Sequence, residues 1–358
     1  MRNPTLAFLI ANPRNTVIRT ASTFVNSVKS RTVDRQYGET LNLQHYKSQT
    51  FETRLFSNFR LDKDAESFDM FCRQCEQAKD GIGCTKVGVC GKTPESSAVQ
   101  DTLIHLVKCV SSLCVEVRKA GNNTQNLKEA NIWTLEATFS TLTNVNFSER
   151  SIVEYIRQGI SLAGHLNKVL LSKGVEMPIQ NALLPEPSMT MIELEDFGKM
   201  VGIVKKQAAS SDLNCLSLAE IATNGMKGLS AYAAHCYRLG HMDEEAVMEP
   251  VHEIWTYLLN DTNVDMSSLL EIVLCVGEIN ANVLRMLDEA HTSTLGVPEV
   301  RQVLTTAVEG KSILVSGHDM LDLYDLLLQT EGTGIHVYTH GEMVSYQDEK
   351  HEWHIVQF

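Results

Sequence analysis

Seven segments with helical periodicity follow one another between residues 96 and 290, and no strand pattern interrupts them. In the first segment Val99, Leu103 and Leu106 recur at intervals of four and three residues, which places them on one face of a helix. Consecutive helices with short connections bury their apolar faces against one another, so we predict one or two helical bundles. The predicted helices span residues 96–120, 125–143, 148–172, 190–211, 216–239, 243–260 and 266–290.

The pattern changes near residue 311. Ser312–Ser316 and Ile335–Thr339 are short apolar runs that predict strands, and the segment Asp319–Thr330 between them is helical. A strand, a helix and a second strand in this order predict parallel strands joined by a right-handed crossover. We therefore expect one β-α-β unit, the start of a Rossmann-like α/β domain, after a boundary between residues 296 and 311.

Charged residues are unevenly distributed along the chain. Residues 1–60 carry nine of the 31 Lys and Arg and three of the 44 Asp and Glu, so the remainder has a net charge of −19. Phosphate binding requires clustered basic side chains, which argues against nucleic acid as the main partner. No continuous apolar run approaches the ~18 residues of a membrane span, so we also expect no such span.

The first 66 residues have the composition of a targeting segment. No acidic residue precedes Asp34, and the basic residues before it alternate with Ser, Thr and small apolar residues. This composition predicts a mitochondrial-type transit peptide. A disordered leader on a cytoplasmic protein is the alternative.

Four cysteines fall within nineteen residues, at Cys72, Cys75, Cys84 and Cys90. Their spacing is C-x2-C-x8-C-x5-C, and four thiolates this close on a glycine-rich backbone can bind one metal centre. Zinc sites pair two tight hairpins with about two to four residues between the cysteines. The wider second pair here favours a cubane iron–sulfur cluster, which takes one thiolate per iron. Zinc and free thiols are the alternatives on spacing alone.

The other five cysteines lie singly in predicted helices, where a cysteine is commonly a small buried apolar residue. An odd total of nine favours metal ligands and free thiols over disulfides. These five are Cys109, Cys114, Cys215, Cys236 and Cys275.

Polar residues follow both predicted strands. His318 and Asp319 come after the first strand, and Glu342 comes after the second. Because the carboxyl ends of adjacent parallel strands meet at one edge of a sheet, His318 and Glu342 can approach one another, and an imidazole with a carboxylate suits an iron-type metal. The alternative is structural: Asp319 N-caps the next helix, His318 fills the turn and Glu342 is a solvated loop charge.

From about Met70 to Met343 the sequence resembles the hybrid-cluster (prismane) proteins, a family of hydroxylamine reductases. Two widely separated groups of motifs carry the resemblance. They are Phe71-Cys72-Arg73-Gln74-Cys75 with Cys84, Val89-Cys90-Gly91-Lys92 and Gln100-Asp101, and then Ile313-Leu314-Val315-Ser316-Gly317-His318-Asp319 and Val337-Tyr338-Thr339-His340-Gly341-Glu342-Met343.

The resemblance implies a 4Fe–4S cluster on the four N-terminal cysteines and a helical domain followed by α/β domains. It also implies a hybrid iron–sulfur–oxygen cluster at the domain junction, with His318 and Glu342 as its first two protein ligands. The implied reaction is the reduction of hydroxylamine to ammonia, with related nitric oxide chemistry. Electrons from a redox-protein donor would enter through the four-cysteine cluster.

The family takes its other hybrid-cluster ligands, including several cysteines, from later segments. Here the last cysteine is Cys275, which precedes His318, and the residues after Met343 resemble nothing in the family. We therefore expect a truncated chain that does not assemble the hybrid cluster. Two alternatives are a non-catalytic electron-transfer module that keeps the N-terminal cluster and a structural zinc-binding helical protein.

The expected fold is mainly α, with an iron–sulfur loop and a helical bundle before the β-α-β unit. The expected segments are a leader (1–66), the loop (67–95), the bundle (96–296), the start of the α/β domain (297–343) and a tail outside the family (344–358).

Overall fold

The structure is a computed structural model of the chain, and it describes residues 68–121, 127–175, 184–209, 212–259, 265–297, 306–340 and 355–357. The predicted leader, Glu342 and most of the predicted tail lie outside these residues. Two compact units are present: Met1–Ala234 with Asp243–Asn282, and His235–Met242 with Val283–Phe358.

The described chain is mainly helical up to residue 295, as predicted. Its helices are α1 (Pro94–Lys119), α2 (Lys128–Ser140), α3 (Glu149–Ser172), α4 (Met191–Val201), α5 (Ile203–Ala209), α6 (Leu213–Arg238), α7 (Glu244–Leu259) and α8 (Met266–Leu295).

Helix α1 is the centre of the first unit. It packs against α2, α3, α4 and α7. The hydroxyl of Thr93 accepts a hydrogen bond from the Ser96 N–H, and Pro94 occupies the first turn, where its missing N–H costs nothing. Of the 26 residues of α1, 19 are buried, so this helix is buried all round rather than on one face.

Two described helices, α1 and α8, are long and apolar enough to cross a membrane by length and composition alone. The most apolar window of α1 is 83% buried inside the protein, which is typical of a core helix, whereas that of α8 is 39% buried. The expectation that the chain has no membrane span therefore stays a prediction.

The helix predicted over residues 190–211 is interrupted at Gly202, so that prediction was wrong in one respect. Gly202 has an extended backbone that ends α4, and α5 begins at the next residue. A Cβ at Gly202 would lie 2.3 Å from Oδ2 of Asp101 on α1. The Asp101 carboxyl also accepts a hydrogen bond from the N–H of Ile203, the first residue of α5. Helical periodicity cannot reveal such contacts between residues about 100 positions apart.

The second unit contains the predicted strand, helix and strand: β1 (Lys311–Ser316), α9 (Met320–Thr330) and β2 (Ile335–His340). Strands β1 and β2 pair in parallel, as predicted, with Lys311 opposite Ile335 and Ser316 opposite His340. Leu323 and Leu327 of α9 are buried against Val337 of β2.

A third strand, β3 (Ile355–Gln357), pairs in parallel with β2. The sequence predicts only two strands, followed by a tail outside the family over residues 344–358. Three residues of that segment belong to the sheet, because their backbone groups pair with Val337–Thr339.

Candidate metal centre

The four-cysteine loop, residues 68–93, is closed by backbone hydrogen bonds between its two halves. Cys72 and Cys84 form an antiparallel bridge in which each N–H donates to the carbonyl of the other, at 3.1 and 2.8 Å. The amide of Met70 donates to the carbonyl of Thr85 at 3.2 Å. These bonds bring the first and third cysteines of the motif side by side.

A second turn positions the fourth cysteine. The Gly88 N–H donates to the Lys92 carbonyl at 2.8 Å, and the Gly91 N–H donates to the Gly88 carbonyl at 2.8 Å, so Cys90 lies at the tip of the turn. A Cβ at Gly88 would lie 3.1 Å from Sγ of Cys90. Glycine at this position therefore leaves space beside the sulfur.

Apolar side chains fix the loop to the protein. Met70 and Phe71 are 3% and 4% exposed, and the Phe71 ring stacks on that of Phe68 with centroids 6.1 Å apart. Gly83 has a φ of +155°, and a Cβ there would lie 2.8 Å from the Phe71 ring. The backbone before Cys84 must therefore be glycine for the aromatic ring to pack against it.

All nine cysteines are free thiols in the structure. In the loop Cys84 is buried and the other three are half-buried. The five cysteines outside the loop are buried in helices, as predicted. Burial raises the pKa of the Cys109 and Cys114 thiols to about 12, which keeps them protonated and unreactive.

The four loop thiols are the donor type that an iron–sulfur cluster requires. Their chemistry and the space beside Cys90 fit such a group. Within the residue ranges described above, however, no three or more His, Cys, Asp or Glu side chains lie close enough together to hold one metal ion. Convergence of the four sulfurs on a cluster therefore stays a prediction.

Lys92 is a buried cation inside the loop. Only 4% of its surface is exposed, and its Nζ lies 3.8 Å from Sγ of Cys72 and 2.7 Å from Oε1 of Gln100. Gln100, on α1, is also 4% exposed, and its Nε2 donates to the carbonyl of Asn146 at 3.2 Å. The sulfur of Cys72, the first cysteine of the motif, therefore lies next to a positive charge.

A second buried lysine and a half-buried aspartate lie near this cation. The Lys227 ammonium, on α6, donates to the Thr141 carbonyl at 3.2 Å, and burial followed by the charge of Lys92 lowers its pKa to about 8. Burial raises the pKa of the Asp101 carboxyl to about 6, although Lys227 and Lys92 oppose that rise. The backbone N–H of Ile203, at the start of α5, donates to this carboxyl.

An ion pair joins the loop to helix α6. The guanidinium of Arg73 pairs with the Glu220 carboxylate and donates to the Ser217 hydroxyl at 3.3 Å. It also lies over the Phe71 ring, 5.7 Å from the centroid. Burial raises the pKa of Glu220, and the nearby Arg73 charge opposes that rise. The loop thus has a polar attachment in addition to its apolar one.

A cavity of about 510 Å³ opens beside the loop. Phe68, Met70 and Phe71 line one part of it, and Asp101 and Gly202 line another. The cavity therefore connects the base of the cysteine loop with the break between α4 and α5.

Of the two predicted hybrid-cluster ligands, the structure describes His318 and does not describe Glu342. His318 is exposed two residues beyond β1, and Glu342 lies outside the described residues. The parallel register places the ends of β1 and β2 side by side, where the Ser316 hydroxyl and Nδ1 of His340 are 3.1 Å apart. The expected edge is therefore present, whereas the approach of His318 to Glu342 stays a prediction.

Asp319 has the structural role that the sequence analysis gave as an alternative. Its Oδ1 accepts hydrogen bonds from the N–H groups of Leu321 and Asp322 at 3.0 and 3.2 Å, which N-caps α9. Its Oδ2 pairs with the guanidinium of Arg238 at 3.0 Å.

Sequence reasoning missed the charged residues around the loop. Lysines are rarely buried, so no composition rule predicts the environment of Lys92 and Lys227. A signal was available for Lys227, because Ala222, Met226 and Leu229 around it belong to the buried face of α6. For Lys92 the signal was its position two residues after Cys90.

The chain is similar to one known protein family and to several curated proteins. The sequence profile described as the Prismane/CO dehydrogenase family matches residues 70–346. Relatives named hydroxylamine reductase include those of Methanocella arvoryzae (39% identical over 276 residues), Thermosipho melanesiensis (37% over 284) and Methanosarcina mazei (39% over 275). Each alignment covers 77% of this chain and 48–50% of the relative, so the chain spans about half the length of these curated relatives. The chain belongs to the Prismane/CO dehydrogenase family.

Proposed function

We propose that Cys72, Cys75, Cys84 and Cys90 hold a 4Fe–4S cluster and that this chain is the electron-accepting part of a hydroxylamine reductase. The observation that carries the proposal is the four-thiol loop itself, closed by the Cys72–Cys84 bridge and lying within the family match. Relatives that match 77% of this chain are named hydroxylamine reductase, which supports the same activity for the complete protein.

When bound, such a cluster supplies one-electron transfer. The residues of the chain prepare its site. Met70 and Phe71 anchor the base of the loop, because both side chains are buried. The paired backbones of Cys72 and Cys84 hold these two residues side by side, and Arg73 holds the loop against α6 through Glu220.

The proposal also covers the metal ligands in the second unit, the substrate and the electron donor. His318 and Glu342 are proposed as ligands of the hybrid cluster in the complete protein, where hydroxylamine or nitric oxide would bind. The electron donor is proposed to be a redox protein. The parallel β1–β2 edge supports the placement of His318 and Glu342, because both residues follow strand ends at that edge.

Anaerobic purification with iron, zinc and sulfide analysis tests the cluster. We expect about four irons and four sulfides per chain, with a broad absorption near ~400 nm. Cys90→Ser should lower the iron content. Cys215→Ser is the matched control, because Cys215 lies outside the loop and donates to Oδ2 of Asp212 at 3.5 Å, a bond that a serine hydroxyl can replace. One zinc per chain without sulfide would refute the proposal.

A second candidate is a one-cluster electron-transfer protein. It is favoured by the attachment of the loop, since Lys92–Gln100 and Arg73–Glu220 tie it to helices α1 and α6. Incubating the cluster-loaded chain with hydroxylamine and reduced methyl viologen tests this second candidate. Ammonia release would refute it, because a one-cluster electron carrier has no site that reduces hydroxylamine, whereas reduction and reoxidation of the cluster without ammonia is the result that it predicts.

A further inference from the structure

Lys92 is placed in a way that ordinary packing does not explain. Lysine is seldom buried unless its charge is paired, yet this side chain is 4% exposed and contacts a sulfur and an amide oxygen. The contact with Cys72 Sγ is 3.8 Å long, within the range of a hydrogen bond to sulfur. Cys72 and Gln100 contact the ammonium directly, and the Asp101 carboxyl is a further electrostatic neighbour of it.

Gln100 holds the ammonium in place. Because a lysine ammonium can only donate, the amide oxygen of Gln100 must face it, and the amide nitrogen then donates to the Asn146 carbonyl. Gln100 is itself buried on helix α1, and the backbone carbonyl of Lys92 accepts from the Gly88 N–H. Both ends of the lysine are thus fixed, unlike those of an exposed lysine that samples many rotamers.

Lys227 adds a second positive charge near Lys92 and Cys72. The residue is 5% exposed, and its electrostatic neighbours include Lys92, Asp101, Cys72 and Glu220. Glu220 is already paired with Arg73. The surroundings of Cys72 therefore contain more buried cationic than unpaired anionic groups.

We propose that Lys92, positioned by Gln100, raises the reduction potential of the iron–sulfur cluster by donating a hydrogen bond to the Cys72 sulfur. This inference rests on the cluster proposed above. One-electron reduction adds one negative charge to the cluster, and no bond to the protein forms or breaks. A fixed cation in a medium of low dielectric constant stabilises the more negative form more strongly, and donors to cluster sulfurs act in the same direction.

The test is an anaerobic potentiometric titration of the reconstituted chain, with dithionite as the reductant and the reduced cluster followed by electron paramagnetic resonance. Lys92→Met keeps a long unbranched side chain and removes the charge. We expect the reduced form to lose at least tenfold in relative stability, a decrease in midpoint potential of about 59 mV for one electron.

Lys108→Met is the matched control. Lys108 lies on α1 and is also 4% exposed, and its ammonium donates to the carbonyl of Leu258 at 2.9 Å. The midpoint potential of the cluster in Lys108→Met should equal that in the wild type. Gln100→Leu keeps the Lys92 charge and removes its anchor, so we expect a decrease smaller than that of Lys92→Met.

The outcomes separate this inference from the proposal on which it rests. A wild-type chain without iron and sulfide would overturn both. A wild-type chain with a full cluster and an unchanged midpoint in Lys92→Met, or an equal decrease in Lys108→Met, would overturn the role of Lys92 alone. If Lys92→Met binds no cluster, the midpoint potentials of Lys92→Arg and Gln100→Leu test the role of Lys92. The potential of Lys92→Arg should stay near that of the wild type. A Gln100→Leu potential equal to that of the wild type would refute the role of Gln100 in positioning Lys92.

Discussion

The buried carboxyl of Asp101 should make the first unit less stable as the pH rises from acid to neutral. Burial raises its pKa from 3.8 to about 6, and the charges of Lys227, Lys92 and Lys206 oppose that rise. A group with a higher pKa in the folded chain than in the unfolded chain stabilises the fold below the unfolded value. That contribution is lost as the pH rises through the folded pKa, so the window runs from about pH 4 to pH 6.

Asp101→Asn removes this titration and keeps an oxygen that can accept from the Ile203 N–H. The separation between 3.8 and about 6 corresponds to about 3 kcal/mol. About 1.3 kcal/mol of it falls between pH 5 and pH 7 for a single titrating group. We therefore expect the free energy of unfolding of the wild type, relative to that of Asp101→Asn, to decrease by about 1.3 kcal/mol over this interval.

Urea unfolding of the metal-free, reduced chain, followed by circular dichroism at pH 5 and pH 7, measures this difference. Asp196→Asn is the control, because Asp196 forms an exposed pair with Lys199 on α4. Its unfolding free energy should follow that of the wild type at both pH values. A wild type that parallels Asp101→Asn, or that gains stability relative to it as the pH rises, would refute the assigned protonation of Asp101.

Two further substitutions test the packing of the bundle by urea unfolding. Gly159→Ala should destabilise the chain by about 1–3 kcal/mol through overpacking, because the new Cβ would lie 2.2 Å from Cζ2 of Trp133. Gly164→Ala, on the same helix α3 with nothing within 4 Å of the new Cβ, should be neutral or stabilising, and equal losses in both would contradict the steric reasoning. Thr190→Ala should cost about 1 kcal/mol, since Thr190 and Glu193 form a capping box at the start of α4; an unchanged stability would show that the box contributes nothing.

Local sequence pattern predicts most of the described helices because their apolar residues recur at helical spacing. Helix α1 begins at Pro94, two residues before the predicted start, and the β1–α9–β2 order with parallel pairing was expected. The errors arise from contacts between distant residues. Gly202, where the predicted helix is interrupted, lies against Asp101 of α1, and β3 joins the sheet through backbone pairing with β2.

In the candidate site, too, the local features were predicted from the sequence and the contacts between distant residues were not. The spacing of the four cysteines predicts a metal-binding loop, and its closure through Cys72 and Cys84 agrees with that prediction. The cations around the loop were not predicted, because their position depends on which helix faces come together. Lys92 and Gln100 are eight residues apart, whereas Lys227 comes from α6, more than 130 positions beyond the loop.

Helix α1 explains why the loop and the bundle should respond together to substitution. Its first turns contain the polar residues near the site, the buried Gln100 and the half-buried Asp101, and its Thr102 hydroxyl donates to the Leu194 carbonyl of α4 at 2.7 Å. One turn further on, Leu103 and Leu106 are fully buried in the core. Because these residues lie on one rigid helix, a core substitution that shifts α1 also moves the amide that holds Lys92. The electrostatics of the four-cysteine loop therefore depend on the packing of the bundle as well as on the loop itself.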